Sequence, residues 1–275
     1  MSGPLRLRAL RLLEAARLLR PAYRAWEAVE AARTRRRGGA EEADGLPLPP
    51  PALRMLVAGT AEPEWFLRTG RASAAMVEEA AARHGVPLEP GTRLLDFGCG
   101  CGRVTRHWAG REGLEVHGSD FNARLVRWCG GHLPFGRFGR NGLEPPLPHG
   151  DGLFDVVYAI SVLTHLTAEG GERWVAELRR VLRPGGLLLL TTHGESYLDA
   201  LTPAERERFA AGEPVVRWQT VAGTNLCATY HPPAYVERVL AGGLELLEHV
   251  AEGAAAGSPH QDLVVLRRRG DARGG

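Results

Sequence analysis

Between residues 93 and 193 short apolar runs alternate with stretches of helical periodicity, and this alternation constrains the fold more than any other feature of the chain. The runs at 93–97, 114–119, 154–160 and 186–193 are nearly continuous in apolar residues, the pattern of strands buried on both faces. A weaker strand is expected at 137–140, and helical patterns cover 51–56, 65–84, 102–109, 122–130 and 170–182. Strands that alternate with helices pair in parallel, each helix crossing back over one face of the sheet. The end of the chain breaks the pattern. The runs 244–250 and 262–268 are joined by a loop of Gly, Ala, Ser and Pro too short for a crossover helix, so they should pair antiparallel. The expected architecture is therefore α/β: a Rossmann-like, seven-stranded, mostly parallel sheet with an antiparallel terminal pair and helices on both faces.

The first strand runs into the turn "LLDFGCGCGRVTR" at 94–106. In a doubly wound sheet a ligand sits at the carboxyl ends of the strands, on the first strand-to-helix turn. Gly98, Gly100 and Gly102 leave that turn without Cβ atoms, so the backbone can press on a ligand, with amides and a helix N-terminus expected to face a polar group. The spacing is G-x-G-x-G, not the G-x-G-x-x-G that suits a pyrophosphate. Asp96 stands two residues before the first glycine, where it would repel a pyrophosphate and attract a ligand bearing an ammonium group. A second acid, Asp120, ends the second strand, 24 residues later. Taken singly, each acid also fits a helix cap.

The wording D-x-G-x-G-x-G resembles motif I of the class I S-adenosylmethionine (SAM) dependent methyltransferases. The resemblance extends over most of 92–268, through "GRNGLEPPLPHGDGLFDVVYAISVLTHL", "LRPGG" and the terminal strand pair. It implies SAM as cofactor. It also implies a floor at Asp96, Gly98, Gly100 and Gly102, ribose hydroxyls on Asp120, adenine on Phe121 with its edge at Asn141 and Gly142, and further contacts at Ile160 and Ser161. In this family a segment before the first strand often covers the methionine end; here "EWFLRTGR" would bring Arg71 to its carboxylate, or leave it as a solvated surface arginine. Members acting on nucleic-acid bases carry Asn/Asp-Pro-Pro-aromatic after strand four, where this chain reads "AISV". Metal-dependent members need carboxylates there, and Ala159, Ile160 and Ser161 supply none; Cys99 and Cys101 are too constrained by the turn for zinc, so no metal site is expected.

If the acceptor is a hydroxyl, a base assists the transfer. His165 and His193 lie beyond strands four and five on the ligand side, each as a base or as a structural histidine bonded to backbone. Thr202, Pro203 and Glu205 form a capping box that starts a helix inside 194–240, a segment read as a cap over the site. "PVVRWQT" and "NLCATYH" follow as a small β excursion that offers Trp218, Asn225, Tyr230 and His231 either to the acceptor or to packing.

Residues 1–50 read as an amphipathic helix at 5–20 followed by a linker at 34–51, with the methyltransferase body at 51–275. Residues 1–40 hold ten arginines against three glutamates, a charge of +7 within a net +2, so the remainder carries −5. Such a helix docks on an anionic surface, a partner or its own domain. Outside it the charge balance argues against nucleic acid. The chain has no lysine, which fits GC-rich coding. Four cysteines without framework spacing suit a reduced cytosol, and no apolar run approaches the roughly 18 residues of a membrane span. The expected activity is methyl transfer to a small-molecule acceptor, by O-methylation of a sugar or secondary metabolite. Alternatives are transfer to RNA or protein through the arginine arm, and SAM binding without transfer. The acceptor atom and the oligomeric state stay open.

Overall fold

A computed structural model describes residues 10, 12–35, 42–253 and 261–270. In chain order its main elements are helices α1 (Leu19–Arg35), α2 (Pro51–Ala58) and α3 (Pro63–Arg83), strands β1 (Arg93–Phe97) and β2 (Glu115–Asp120), helix α4 (Ala123–His132), and strands β3 (Gly136–Arg140) and β4 (Phe154–Ala159). Helix α5 (Ala168–Val181), strand β5 (Leu182–His193), helix α6 (Pro203–Ala210) and strands β6 (Val215–Arg217), β7 (Ala228–Tyr230), β8 (Glu245–Val250) and β9 (Gln261–Arg267) follow.

The main sheet runs β3-β2-β1-β4-β5-β9-β8. All neighbours pair in parallel except β9, which is antiparallel to both β5 and β8. Alternate residues of the buried strands feed two cores. Leu95, Val157, Leu188 and Val264 pack against Trp174 and Leu178 of α5; Leu94, Val116, Val156 and Leu189 pack against Val77 and Ala80 of α3. Strand order reverses between β1 and β4, which opens the crevice where such sheets take ligands.

Three expectations need correction. The helix expected at 102–109 is a short 3₁₀ turn, Thr105–Trp108. Val104 and Thr105 are poor helix formers, and each neighbour is held from outside: Thr105 donates to Asp96, Arg106 donates to the carbonyls of Ala43, Leu46 and Pro47, and Trp108 donates to the Tyr158 hydroxyl. The same Arg106 contacts pin a two-residue hairpin (Glu42–Ala43 with Leu46–Pro47) to the body, so 42–50 is not a free linker. The helix expected at 5–20 is interrupted where described, because Arg17 takes a left-handed φ of 58° before α1 begins. The rest of that call, at 1–9 and 11, lies outside the described residues, as does 36–41 of the linker.

The capping box forms as expected, with Thr202 and Glu205 bonded reciprocally at the start of α6. The β excursion is β6 and β7, antiparallel to each other, with Tyr230 of β7 pairing to His193 at the end of β5.

Candidate functional site

A cavity of about 370 Å³ opens at the carboxyl ends of β1, β2 and β4. Its floor is the glycine turn. Gly98, Gly100 and Gly102 have φ of 77°, 56° and 80°, the left-handed region that penalises any Cβ. Packing adds a second constraint: a Cβ would stand 2.4 Å from Val162 at Gly98, 2.6 Å from Val57 at Gly100 and 2.5 Å from Leu133 at Gly102.

Four of the turn's own N–H groups are spent. Gly98 and Cys99 donate to the Ser119 carbonyl at 2.8 and 3.0 Å, Gly100 donates to Asp120 Oδ2 at 3.0 Å, and Gly102 donates to the Cys99 carbonyl at 3.0 Å. The expectation of a helix N-terminus facing the ligand is therefore corrected, and the amides of Gly98, Cys99, Gly100 and Gly102 are not open to it. An anion would find few donors here, whereas a cation meets backbone and two buried carboxyl groups.

Asp96 is 3 % exposed and accepts from Thr105 and Tyr158; the latter's hydroxyl in turn accepts from Trp108 at 2.9 Å. Burial pushes the Asp96 pKa up to about 6, against the pull of those hydrogen bonds and of the nearby Arg103 guanidinium. Asp120 is likewise raised to about 6 by burial, with the amides of Asn122 and Gly100 opposing. Arg103 lines the cavity, buried, and donates to Thr69 and Ser73 of α3.

The walls and roof come from distant segments. Leu56 to Gly59 of α2 and the residue after it, Trp65 of α3 and Tyr23 of α1 cover one side; Leu143, Val162, Leu166 and the loop 223–225 close the other. The Gly223 amide donates to the His165 carbonyl at 2.7 Å, and Asn225 Nδ2 donates to the Leu56 carbonyl, which ties this loop to α2. Ser161 takes an unusual φ of 59° after β4 and donates to Gln261 Oε1 at 3.0 Å, bringing β9 into the wall.

His165 faces the cavity, with its ring nitrogen Nδ1 2.7 Å from the Cys227 carbonyl. A carbonyl can only accept, so Nδ1 carries the proton and Nε2 keeps its lone pair. Burial lowers the pKa of this histidine, which keeps the ring neutral near pH 7.

The structure thus gathers Asp96, Gly98, Gly100, Asp120, Phe121, Asn141, Gly142, Ile160, Ser161, His165 and Asn225 around one cavity. The other expected site residues stand elsewhere. Gly102 lies behind the floor, against Leu133. Arg71 pairs with Asp44 on the surface at 3.1 Å. His193 sits behind Gln261 at 3.4 Å and stacks on Tyr197; burial first, then the neighbouring His165 and His231, lower its pKa to about 3. Trp218 packs on Leu19 of the arm, Tyr230 joins Phe209 and Leu201 in a separate cluster, and His231 is buried 6.1 Å from the Tyr235 ring. Apolar packing claims Trp218 and Tyr230, the latter also lying under the Arg217 guanidinium, 5.5 Å from its ring centroid. Tyr23, Arg103 and Gln261 were missed; only Arg103, directly after the glycine turn, carried a local signal.

The family described as "Methyltransferase domain" matches residues 95–190. Among curated proteins, the malonyl-[acyl-carrier protein] O-methyltransferase of Pectobacterium atrosepticum is 26% identical over 152 residues, covering 55% of this chain and 53% of that protein. The ubiquinone biosynthesis O-methyltransferase of Caulobacter sp. is 32% identical over 161 residues, covering 57% and 60%. The chain spans about half the length, or less, of the first curated relatives it matches. Among solved structures, the PH0226 protein from Pyrococcus horikoshii superposes with a TM-score of 0.53 at 18% identity, covering 72% of this chain and 91% of that one. A Burkholderia thailandensis 1,6-didemethyltoxoflavin-N1-methyltransferase gives 0.53 at 15%, covering 74% and 79%.

The strand order, the antiparallel pair and the glycine floor between two acids define a Rossmann-like methyltransferase fold. Over residues 95–190 the chain matches the methyltransferase domain family, and its fold is that of the class I SAM-dependent methyltransferases. The residues present fit that family's cofactor. Besides the donor-poor turn and its acids, Asn141 Oδ1 on the cavity wall is a buried acceptor with no partner among the described residues, as an adenine amino group requires.

Proposed function

We propose that this protein transfers a methyl group from SAM to an uncharged small-molecule hydroxyl, with His165 as the base. The observation that carries the donor half is the glycine turn, four of whose amides are consumed internally, set against Asp96 and Asp120. In this reading Asp96 meets the ammonium end, Asp120 the ribose hydroxyls, Asn141 and Phe121 the adenine, and Arg103, not Arg71, the carboxylate. SAM supplies a methyl group activated by its sulfonium. The chain's own task is to align the acceptor, exclude water and remove one proton.

Charge supports an uncharged acceptor. The charged side chains lining the cavity, among the described residues, are Asp96, Arg103 and Asp120, all in the donor half. The acceptor half, with Tyr23, Trp65, Leu143, Val162, Leu166, Thr224 and Asn225, would leave an ionised acceptor without a counter-charge, a costly burial. The named relatives act on different acceptors, so the class is read from this cavity and is a hydroxylated ring compound, a phenol or sugar-like metabolite. The division into an arm to residue 50, a body from 51 and an acceptor cap at 194–240 belongs to the same proposal, with the cap contributing through 223–225.

Calorimetric titration with SAM, its demethylated product and NAD tests the donor half; binding of NAD alone would overturn it. Incubation with labelled SAM and hydroxyl, amine and carboxylate acceptors tests the rest. His165→Gln should lower kcat on the hydroxyl acceptor by roughly 10²–10⁴-fold while SAM affinity stays within a factor of about two. Label entering only polymeric RNA or protein would overturn the small-molecule reading.

A further inference from the structure

We propose that Gln261 is a positioning residue: it holds Ser161 in a left-handed backbone conformation and so aims the loop that carries His165 at the bound donor. The inference rests on the reading of His165 as the base. Ser161 leaves the end of β4 with a φ of 59°, a region that penalises every residue with a Cβ, and His165 follows four residues later in the same loop. A strained residue keeps such a conformation only where its surroundings dictate it. Here two neighbouring strands do so. The Ser161 N–H donates to Thr191 Oγ1 of β5 at 2.7 Å, and its hydroxyl donates to Gln261 Oε1 of β9 at 3.0 Å.

Strand pairing places Gln261 for this task. As the first residue of β9 it lies opposite His193 in the antiparallel ladder with β5, and its Nε2 comes to 3.4 Å from His193 Nε2. An amide nitrogen only donates, so the imidazole, kept neutral by burial, accepts. The amide is thus held at both ends, nitrogen on His193 and oxygen on Ser161. His193 thereby acts from outside the cavity, as the stop behind Gln261. Among the described residues Gln261 is all that the terminal strand pair gives to the cavity lining. It is 6% exposed, and residues 263–266 of the same strand are aliphatic and buried, so an apolar side chain would fill the place without the desolvation of an amide. Its two bonds account for the amide.

Loss of the clamp would let Ser161 rotate and redirect the chain between β4 and His165. A base displaced by about 1 Å loses its alignment with the acceptor's proton, at a cost of roughly 10²-fold in rate. The donor contacts assigned to Asp96, Asp120 and Asn141 stand on other elements and would stay in place.

Gln261→Met keeps the length of the side chain and removes both bonds. On a hydroxyl acceptor it should lower kcat by roughly tenfold or more, with acceptor KM and SAM affinity within about threefold of the unaltered chain. Adding Ser161→Gly should restore kcat by roughly threefold or more, because glycine adopts a positive φ without the clamp, whereas adding Ser161→Ala should restore none. The same cycle followed by thermal unfolding needs no turnover. Ser161→Gly should raise Tm by roughly 2–4 °C in the Gln261→Met background and should not raise it in the unaltered chain. Unchanged kcat in Gln261→Met would overturn the proposal, as would equal recovery by alanine and glycine. A raised acceptor KM with kcat intact would make Gln261 an acceptor contact and overturn it too. If the unaltered chain transfers methyl to no hydroxyl acceptor, the reading of His165 as the base fails separately; an identical Tm shift from Ser161→Gly in both backgrounds would show that Gln261 does not hold Ser161.

Discussion

At the scale of single residues, the two acids of the floor govern when the pocket can bind. Asp96 and Asp120 both have pKa values raised from the usual carboxylate 3.8 to about 6, chiefly by burial. Between roughly pH 4 and 6 the folded chain therefore holds protons that the unfolded chain has released, and the associated stability is lost as pH rises through that window. A cationic ligand reverses the preference, because it favours the ionised form. SAM affinity should be highest above pH 6 and fall below it by up to roughly tenfold per pH unit for each carboxylate that must release a proton. Calorimetry in buffers of different ionisation enthalpy would read that proton release directly. In Asp120→Asn the pH slope should shrink and affinity should drop roughly 10- to 100-fold, the worth of charge-assisted hydrogen bonds. Affinity independent of pH from 5 to 8 would place the ligand away from both acids. These residues were legible in the sequence because a strand end fixes them: Asp96 is the next-to-last residue of β1 and Asp120 the last of β2, where position along the chain dictates position in space. Tyr23 and Gln261 reach the cavity by tertiary packing alone, and no local pattern announces that.

At the scale of elements, the strands and the antiparallel terminal pair followed from periodicity, whereas the strand order and the segments around the cavity did not. The 3₁₀ turn at 105–108 replaced a helix because Asp96, the 43–47 carbonyls and Tyr158 each claim one of its side chains. Helix α2 was visible as a helix, yet nothing in its sequence said that Val57 would sit on Gly100. That contact makes a measurable prediction. Gly100→Ala places a Cβ 2.6 Å from Val57 in a left-handed backbone, so it combines steric overlap with torsional strain. Thermal unfolding should show a loss of about 1–3 kcal/mol, with SAM affinity reduced as α2 is pushed outward. Adding Val57→Ala should recover the steric part and leave the torsional part, a non-additive double-mutant cycle. Strict additivity would mean that α2 does not rest on the turn.

At the scale of the whole molecule, the question is how tightly the arm belongs to the body. Among the described residues, the two cores of the main sheet contain none before 74, whereas the arm packs through Leu10, Leu13 and Leu19 on Trp218, Val221 and Leu226 of the cap segment. Removal of residues 1–35 should therefore leave the sheet folded and expose one small apolar cluster. Losing the burial of Leu19 costs about 2 kcal/mol, which corresponds to a fall in Tm of roughly 5 °C in a domain of this size. The donor half keeps all its charged and glycine contacts, so SAM affinity should change by no more than a few-fold. The acceptor half loses Tyr23 and the support that Leu19 gives to Trp218 and Val221, a few residues before Gly223. KM for the acceptor should consequently rise at least tenfold, with a smaller change in kcat, because the loop that holds His165 is also tied to α2 by Asn225. A truncated chain with unaltered acceptor KM would show that the arm covers the cavity without shaping it. Loss of SAM binding would instead assign the arm to the donor half, since none of the contacts made by Asp96, Asp120 or Asn141 reaches it.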